Sequence, residues 1–275
     1  MATDFKSIPL IDISPILEKW DHPNVAQDEG VTQVVKQLDQ DCLEAGFSYV
    51  AIILLLLFFL FLREVKHGMY GDLGEVMLGS NIWPSNPSNF KHLMEHYVDL
   101  CTGALLRKLI MRGIALALGG SADEMEGEIA GDPFWVLRTI GYPAASISDG
   151  HDKADNVVGC GAHTDYGLLT LLNQDDDILA LQVRNKSGEW ISAPPIPGTF
   201  VCNIGDMLKI LSNGIYKSTL HRVINTSPKY RVCPNFDAVI EQLDVCIQKT
   251  GGTKNFEGAV YGKHLVSKVT TYFVM

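Results

Sequence analysis

The spacing of apolar residues predicts that the first half of the chain is mainly helical. Residues 8–13 predict a short strand. Apolar positions in Val31–Ala45 recur at helical spacing, which predicts an amphipathic helix that ends at Gly46. Gly46–Ile52 then has the pattern of a second strand. Steps of three and four residues between apolar positions predict a long helix over 90–118.

The pattern changes in the second half of the chain, from Phe134 onward. Short runs rich in valine, isoleucine, threonine, leucine and aromatic residues alternate there with turn clusters such as Ser187-Gly188 and Ser212-Asn213-Gly214. Strands at this spacing are typical of a sandwich or a barrel. The chain is therefore predicted to be an α+β protein, mainly β, in which N-terminal helices pack against a β core.

One segment departs from the alternation of short elements. Val50–Leu62 is an unbroken run of thirteen apolar residues. A helix of that length spans about 20 Å, which is shorter than the roughly 30 Å hydrocarbon core of a bilayer. We interpret the run as a buried element, and a membrane span is disfavoured.

Charge and cysteine content narrow the function classes. The chain has 22 basic and 32 acidic residues and a net charge of -10, so a phosphate backbone would be repelled and nucleic acid is excluded as a partner. Its six cysteines form no Cys-x-x-Cys pair, which favours free thiols in a reducing compartment. The N-terminal residues lack the features of a signal peptide, so a cytoplasmic location is expected.

His92-Leu-Met-Glu95-His96 matches the inverted zinc-peptidase motif. The two histidines share one helix face, but no third ligand is evident on a neighbouring helix. We interpret them as surface histidines on an amphipathic helix.

A stronger candidate for chemistry combines His163, Asp165 and His221. Residues at positions i and i+2 of a strand point the same way, so His163 and Asp165 can face one site. His221 lies in another strand-like stretch. Two imidazoles and one carboxylate form the facial triad of non-haem Fe(II) oxygenases. A His-x-Asp pair also arises by chance, and the spacing alone leaves that alternative open.

Arg231 follows His221 by ten residues, across a predicted turn at 225–228. A hairpin here places Arg231 on the strand beside the third ligand. A guanidinium in a metal pocket suits bidentate binding of a carboxylate. The alternative is a surface arginine that pairs with an acidic residue.

The chain resembles the plant-type 2-oxoglutarate/Fe(II)-dependent dioxygenases of the isopenicillin-N-synthase-like family. Matching segments occur in order and at the family's spacing from residue 8 to about residue 270. They are Ile8–Ser14, Gly141-Tyr142-Pro143, His163–Leu172, Leu181–Val183, Gly188–Ile191, Asn203–Leu208, Ser212–Gly214 and His221–Val223.

The resemblance implies a double-stranded β-helix, or jelly-roll, core over 131–275, with a helical region over 1–130 that is atypical at 50–70. It also implies Fe(II) on His163, Asp165 and His221. By the same resemblance Arg231 binds the distal carboxylate of the co-substrate 2-oxoglutarate, and Tyr142 contacts it. The family uses O₂, with ascorbate as reductant, to hydroxylate or desaturate a small organic metabolite of secondary metabolism, with release of succinate and CO₂.

Three departures from the family pattern affect this expectation. Cys233 stands where the family has a serine, so a weak thiol donor replaces a hydroxyl beside the co-substrate. Pro234 follows at once, and we expect it to end a shortened core strand. The apolar run replaces a longer family segment that ordinarily shapes the substrate pocket, so the sequence identifies no substrate. Oligomeric state is not indicated either.

Two alternatives therefore stay open. One is a truncated or splice-variant member with weak or no catalysis that acts as a binding protein. The other is a relative that uses another reductant in place of 2-oxoglutarate.

Overall fold

The computed structural model describes residues 4–19, 22, 24–51, 83, 85–86, 88–93, 95, 106–126, 136–142, 158–225, 231–237, 244–252 and 255. The helices are α1 (Ser14–Glu18), α2 (Glu29–Glu44), α3 (Leu106–Leu118), α4 (Asp206–Leu211) and α5 (Asp244–Lys249), with a 3-10 turn at Val25–Gln27. The strands are β1 (Leu10–Asp12), β2 (Phe47–Ala51), β3 (Val136–Tyr142), β4 (Val158–His163), β5 (Leu169–Leu172), β6 (Leu181–Arg184), β7 (Trp190–Ser192), β8 (Thr199–Ile204), β9 (His221–Ile224) and β10 (Arg231–Asp237).

Helix α2 confirms the amphipathic helix predicted at Val31–Ala45, and it begins two residues earlier. Asp28 caps the helix, because its carboxylate accepts a hydrogen bond from the Val31 backbone N–H at 3.1 Å. Gly46 ends it with a φ of +64°, and a Cβ there would lie 2.8 Å from the Lys217 carbonyl oxygen. Glycine is therefore required at this position both by backbone conformation and by close packing.

The helices form one side of the main hydrophobic core. Residues 90–93 and 106–118 of the predicted long helix are helical, and residues 96–105 lie outside the described residues. Helix α3 packs against α2 so closely that a Cβ at Gly113 would lie 2.5 Å from the Leu38 side chain. Fully buried residues of both helices share this core: Val31, Val34, Leu38, Leu109, Ile110, Ile114 and Leu118.

Two four-stranded sheets form the rest of the core. The first has the order β1-β2-β8-β5, in which only β1 and β2 run parallel. The second has the order β4-β9-β6-β7 and is antiparallel throughout. Phe47 and Val201 of the first sheet share a buried cluster with Leu181 and Val183 of the second. The sheets therefore pack face to face, as the predicted jelly-roll core requires.

Strands β3 and β10 form an antiparallel pair, and β10 also lies against β5. The expectation that Pro234 ends a core strand is wrong. Strand β10 continues through Pro234, which lies opposite Thr139, and reaches Asp237. Within the described residues β10 has a strand ladder only with β3, and a strand paired on one side tolerates a residue without an N–H.

The predicted apolar run Val50–Leu62 is described only at its first two residues, which end β2; the remainder lies outside the described residues. In the part of the chain that the structure describes, no helix is long and apolar enough to span a membrane. The four cysteines described with their side chains, Cys42, Cys160, Cys202 and Cys246, are free thiols.

Candidate metal centre

The structure brings His163, Asp165 and His221 together between the two sheets. The Asp165 Oδ1 atom lies 3.6 Å from His163 Nε2 and 3.4 Å from His221 Nε2. The imidazole ring centroids are 4.3 Å apart. Three potential ligand atoms, one from each residue, all lie within 4.8 Å of one another. Among the described residues this is the only group of three or more such side chains that could hold a metal ion.

Strand pairing explains why residues so far apart in sequence meet. His163 ends β4 and His221 begins β9, and the two residues are direct partners across this antiparallel pair. The register shifts twice along β4, between Val158 and Cys160 and between Cys160 and His163. Such bulges change the direction in which a strand presents its side chains and are common beside active sites.

Backbone carbonyls fix the orientation of both imidazoles. His163 Nδ1 lies 2.7 Å from the Gly161 oxygen, and His221 Nδ1 lies 3.1 Å from the Thr219 oxygen. A carbonyl oxygen only accepts, so each Nδ1 must carry the proton that it donates. In the neutral ring each Nε2 is then left with a free lone pair next to Asp165 Oδ1. Two imidazole lone pairs and a carboxylate oxygen that converge in this way fit Fe(II).

Asp165 is held by β8 and the turn that follows it. Its Oδ2 atom accepts a hydrogen bond from Asn203 Nδ2 at 2.7 Å. Its backbone carbonyl accepts one from the Asp206 N–H at 2.8 Å. A Cβ at Gly205 would overlap the carbonyl of Gly167, so the two loops can approach only because residue 205 is glycine.

Asp165 and His221 stabilise each other's charged forms. Burial raises the pKa of Asp165, but the charge of His221 and hydrogen bonds from His221 and Asn203 outweigh it, so the pKa lies below its ordinary value. Burial lowers the pKa of His221, yet the charge of Asp165 and its hydrogen bond raise that pKa overall. The pKa of His163 is likewise raised despite burial, chiefly by contact with Cys160. A metal ion would take the place of these protons.

The surroundings of the two imidazoles differ. The His221 side chain is 8% exposed and packs edge-on against the Phe47 ring of β2, with the centroids 5.1 Å apart. The His163 side chain is 26% exposed. The cluster is therefore closed on the side of β2 and accessible on the side of β4.

The predicted co-substrate residues lie on β3 and β10. Tyr142 is 6% exposed and belongs to a buried cluster with Val223 of β9. Arg231 is the direct register partner of Tyr142, and Cys233 lies opposite Ile140. The register thus brings the backbones of Tyr142 and Arg231 together, and the Tyr142 ring lies against the strand that begins with His221. The roles of Tyr142, Arg231 and Cys233 in co-substrate binding stay predictions.

Sequence reasoning missed Asn203 and Phe47 as parts of the site. Asn203 lies in the matching segment Asn203–Leu208, and Phe47 lies outside the matching segments. Neither an asparagine nor a phenylalanine indicates metal chemistry by its residue type. In the inverted zinc-peptidase motif at residues 92–96, His92 is exposed, and the Glu95 carboxylate pairs with the Lys91 ammonium at 3.6 Å. His96 lies outside the described residues.

Comparison with known proteins extends these observations. The family model of the 2OG-Fe(II) oxygenase superfamily matches residues 136–236. Homoarginine-6-hydroxylase 2-ODD-C23.1 of Arabidopsis thaliana is 53% identical to this chain, and the match covers 100% of both chains. Homoarginine-6-hydroxylase 2-ODD-C23 of Glycine max is 54% identical and covers 100% of this chain and 99% of its own.

The Arabidopsis alignment is 336 positions long, whereas this chain has 275 residues, so the relative has residues that this chain lacks. Among solved structures, a full-length Neurospora crassa protein in complex with alpha-KG superposes with a TM-score of 0.72 at 24% identity, over 98% of each chain. A 2OG-Fe(II) oxygenase family protein from Caulobacter crescentus superposes with a TM-score of 0.71 at 20% identity, over 97% of this chain and 99% of its own. These similarities confirm the jelly-roll fold of the oxygenases.

Proposed function

Because this chain belongs to the 2OG-Fe(II) oxygenase superfamily, we propose that it hydroxylates homoarginine or a closely similar guanidino amino acid. The observation that carries the proposal is the match over the full chain, at 53% and 54% identity, to two enzymes named homoarginine-6-hydroxylase. The activity is that of an Fe(II)- and 2-oxoglutarate-dependent dioxygenase that hydroxylates a small metabolite.

His163, Asp165 and His221 would hold the iron, because their ligand atoms converge and both Nδ1 atoms are engaged by backbone carbonyls. When bound, Fe(II) would supply the chemistry by which O₂ oxidises both 2-oxoglutarate, to succinate and CO₂, and the substrate, each of which gains one oxygen atom. The three residues would supply one ligand atom each and leave further coordination positions for the co-substrate and O₂.

Arg231 and Tyr142 would bind 2-oxoglutarate on the side of the metal centre where β3 and β10 lie. The register that places them opposite each other supports this assignment. An arginine offers a planar fork to a carboxylate, and a phenol can donate a further hydrogen bond. Cys233 is two residues from Arg231 on the same strand and would act as a weak donor beside it.

The charge of the protein favours a cationic substrate. At a net charge of -10, the field of the chain attracts a guanidinium and raises its local concentration. A guanidinium is also a group that hydrogen bonds and carboxylates recognise geometrically, which allows discrimination from uncharged amino acids.

The test is stimulation of succinate release by the substrate. Purified protein with Fe(II), ascorbate and 2-oxoglutarate is assayed with homoarginine, arginine or lysine, and the products are analysed by mass spectrometry. We expect homoarginine to stimulate succinate release most strongly and to gain one oxygen atom. His221→Ala is the control for metal-dependent turnover. Equal succinate release with and without homoarginine would refute the proposed substrate.

A second function is a ligand-binding protein with little turnover. The observation that favours it is the shorter length of this chain within an alignment that covers all of the Arabidopsis relative. Calorimetry separates the two functions: homoarginine that binds to the anaerobic protein loaded with metal and 2-oxoglutarate, but is not oxidised when O₂ is admitted, would favour the binding protein.

A further inference from the structure

The two carboxylate oxygens of Asp165 have different partners. Oδ1 faces the Nε2 atoms of His163 and His221 at 3.6 and 3.4 Å. Oδ2 accepts the hydrogen bond from Asn203 Nδ2 at 2.7 Å. The plane of the carboxylate is therefore fixed from the side opposite the imidazoles.

Asn203 is itself held rigidly. It is 3% exposed and lies in the centre of the first sheet, where β8 pairs with Phe47 of β2 on one side and with Thr170 of β5 on the other. Three residues later in the same segment, the Asp206 N–H binds the backbone carbonyl of Asp165. One stretch of chain thus holds Asp165 by both its side chain and its backbone.

We propose that Asn203 is a positioning residue that keeps the carboxylate of Asp165 monodentate toward the metal. The inference rests on the proposed function, because it takes Asp165 as a metal ligand. While Asn203 holds Oδ2, only Oδ1 is directed at the ion. Once released, the carboxylate can rotate and bind the ion with both oxygens, and it then occupies a coordination position that 2-oxoglutarate or O₂ needs.

The proposal predicts a specific defect in Asn203→Leu, in which a side chain of similar shape lacks the amide. Residues that orient metal ligands typically contribute 10- to 100-fold to metal affinity or activity. We expect the Fe(II) affinity of Asn203→Leu to decrease by about 10- to 100-fold relative to wild type. We also expect 2-oxoglutarate to bind the metal-loaded variant more weakly than it binds the metal-loaded wild type.

Asn185→Leu is the matched control. Asn185 is also a buried asparagine, 5% exposed, whose amide donates to the Phe5 carbonyl and whose oxygen accepts from the Glu189 N–H. It lies in the β6–β7 hairpin and contacts none of the three metal ligands in the described structure. Asn185→Leu also removes a buried amide and should lose stability for that reason. An effect on metal binding that occurs only in Asn203→Leu therefore comes from the contact with Asp165.

The experiment measures anaerobic Fe(II) binding by calorimetry, the visible absorption of the Co(II)-loaded proteins and thermal melting. Co(II) absorption reports the number and arrangement of ligands at the ion, which a general loss of stability does not change. We expect Asn203→Leu to change the Fe(II) affinity and the Co(II) spectrum, and Asn185→Leu to change only melting. Asn203→Ser, which is smaller and lacks the amide, serves if the leucine variant does not fold.

The outcomes distinguish this inference from the proposed function. If wild-type protein fails to bind Fe(II), or His221→Ala binds it equally well, the metal assignment itself is wrong. If wild type binds Fe(II) through the triad but both Asn203 variants keep wild-type affinity and spectrum, Asn203 is structural and only the present inference is overturned.

Discussion

Replacing Gly159 by alanine places a methyl group against the ring of Tyr142. A Cβ at this position would lie 2.5 Å from Cδ1 and 2.9 Å from Cε1 of the tyrosine. Carbon atoms in contact prefer a separation of about 3.5–4.0 Å. The ring must therefore move by about 1 Å, or β4 must move away from it. Gly159 stands four residues before His163, so either movement occurs beside the proposed co-substrate pocket.

The expected cost has two parts. Overpacking of a filled site costs about 1–3 kcal/mol of unfolding free energy. If the Tyr142 hydroxyl binds a carboxylate of 2-oxoglutarate, its displacement costs a further 1.5–3 kcal/mol of binding energy, the range for hydrogen bonds to charged groups, or roughly 10- to 150-fold in Kd. Fe(II) binding should change little, because the His163 and His221 rings are fixed by other carbonyls.

Denaturant unfolding measures the loss of unfolding free energy. Calorimetry with 2-oxoglutarate on the metal-loaded protein measures the change in Kd for the co-substrate. Gly161→Ala is the positional control, since a Cβ there meets no atom within 4 Å. A double-mutant cycle with Tyr142→Leu identifies the contact, because the added methyl should cost nothing once the ring is absent. Equal stability and 2-oxoglutarate affinity in Gly159→Ala and Gly161→Ala would refute the reasoning.

Three further predictions concern single residues. His221→Ala should lose Fe(II) binding, measured anaerobically by calorimetry, because only His163 and Asp165 would remain and no further residue of the described chain belongs to this ligand group; retained affinity would contradict the triad. Arg231→Lys should weaken 2-oxoglutarate binding by about 1.5–3 kcal/mol while Fe(II) affinity stays unchanged, since the charge remains but the planar fork is lost; equal 2-oxoglutarate affinity would favour the surface-arginine alternative. Asp41→Asn should stabilise the protein at neutral pH, because burial raises the pKa of this carboxyl well above its ordinary value. The folded chain then holds a proton that the unfolded chain releases, so wild-type stability falls as pH rises through the raised pKa. The advantage of the variant in denaturant unfolding should therefore shrink in acid, and an advantage that is independent of pH would contradict this explanation.

Local signals predicted the elements nearest the site. The helical spacing that ends at Gly46 predicted α2, and the start of the helix was displaced only by the Asp28 cap. The His-x-Asp spacing predicted that His163 and Asp165 share one site, which they do, although β4 ends at His163 and Asp165 lies beyond the strand; β9 then brings His221 opposite His163. These features depend on neighbouring residues or on period-two alternation, which a sequence displays directly.

Other features depend on which strands become neighbours, and the pattern does not contain that information. Pro234 was expected to end a strand because proline cannot donate to a central ladder, but the structure gives β10 a ladder on one side only among the described residues. Asn203 is separated from Asp165 by 38 residues, and only the pairing of β8 with β5 brings the two close. A polar residue in an apolar strand indicates a buried partner without identifying it.

The positions of the contacts around the metal centre indicate which functions the shortened chain retains. The Phe47 ring and the Asn203 amide belong to adjacent strands and are direct register partners in the first sheet. Phe47 contacts His221 of the second sheet, and Asn203 contacts Asp165, which follows the end of β4. These contacts arise from residues 47–51, 158–172 and 199–225. If the residues that this chain lacks fall after Ala51, as the sequence pattern predicts, their loss should act on substrate binding and leave the metal ligands in place.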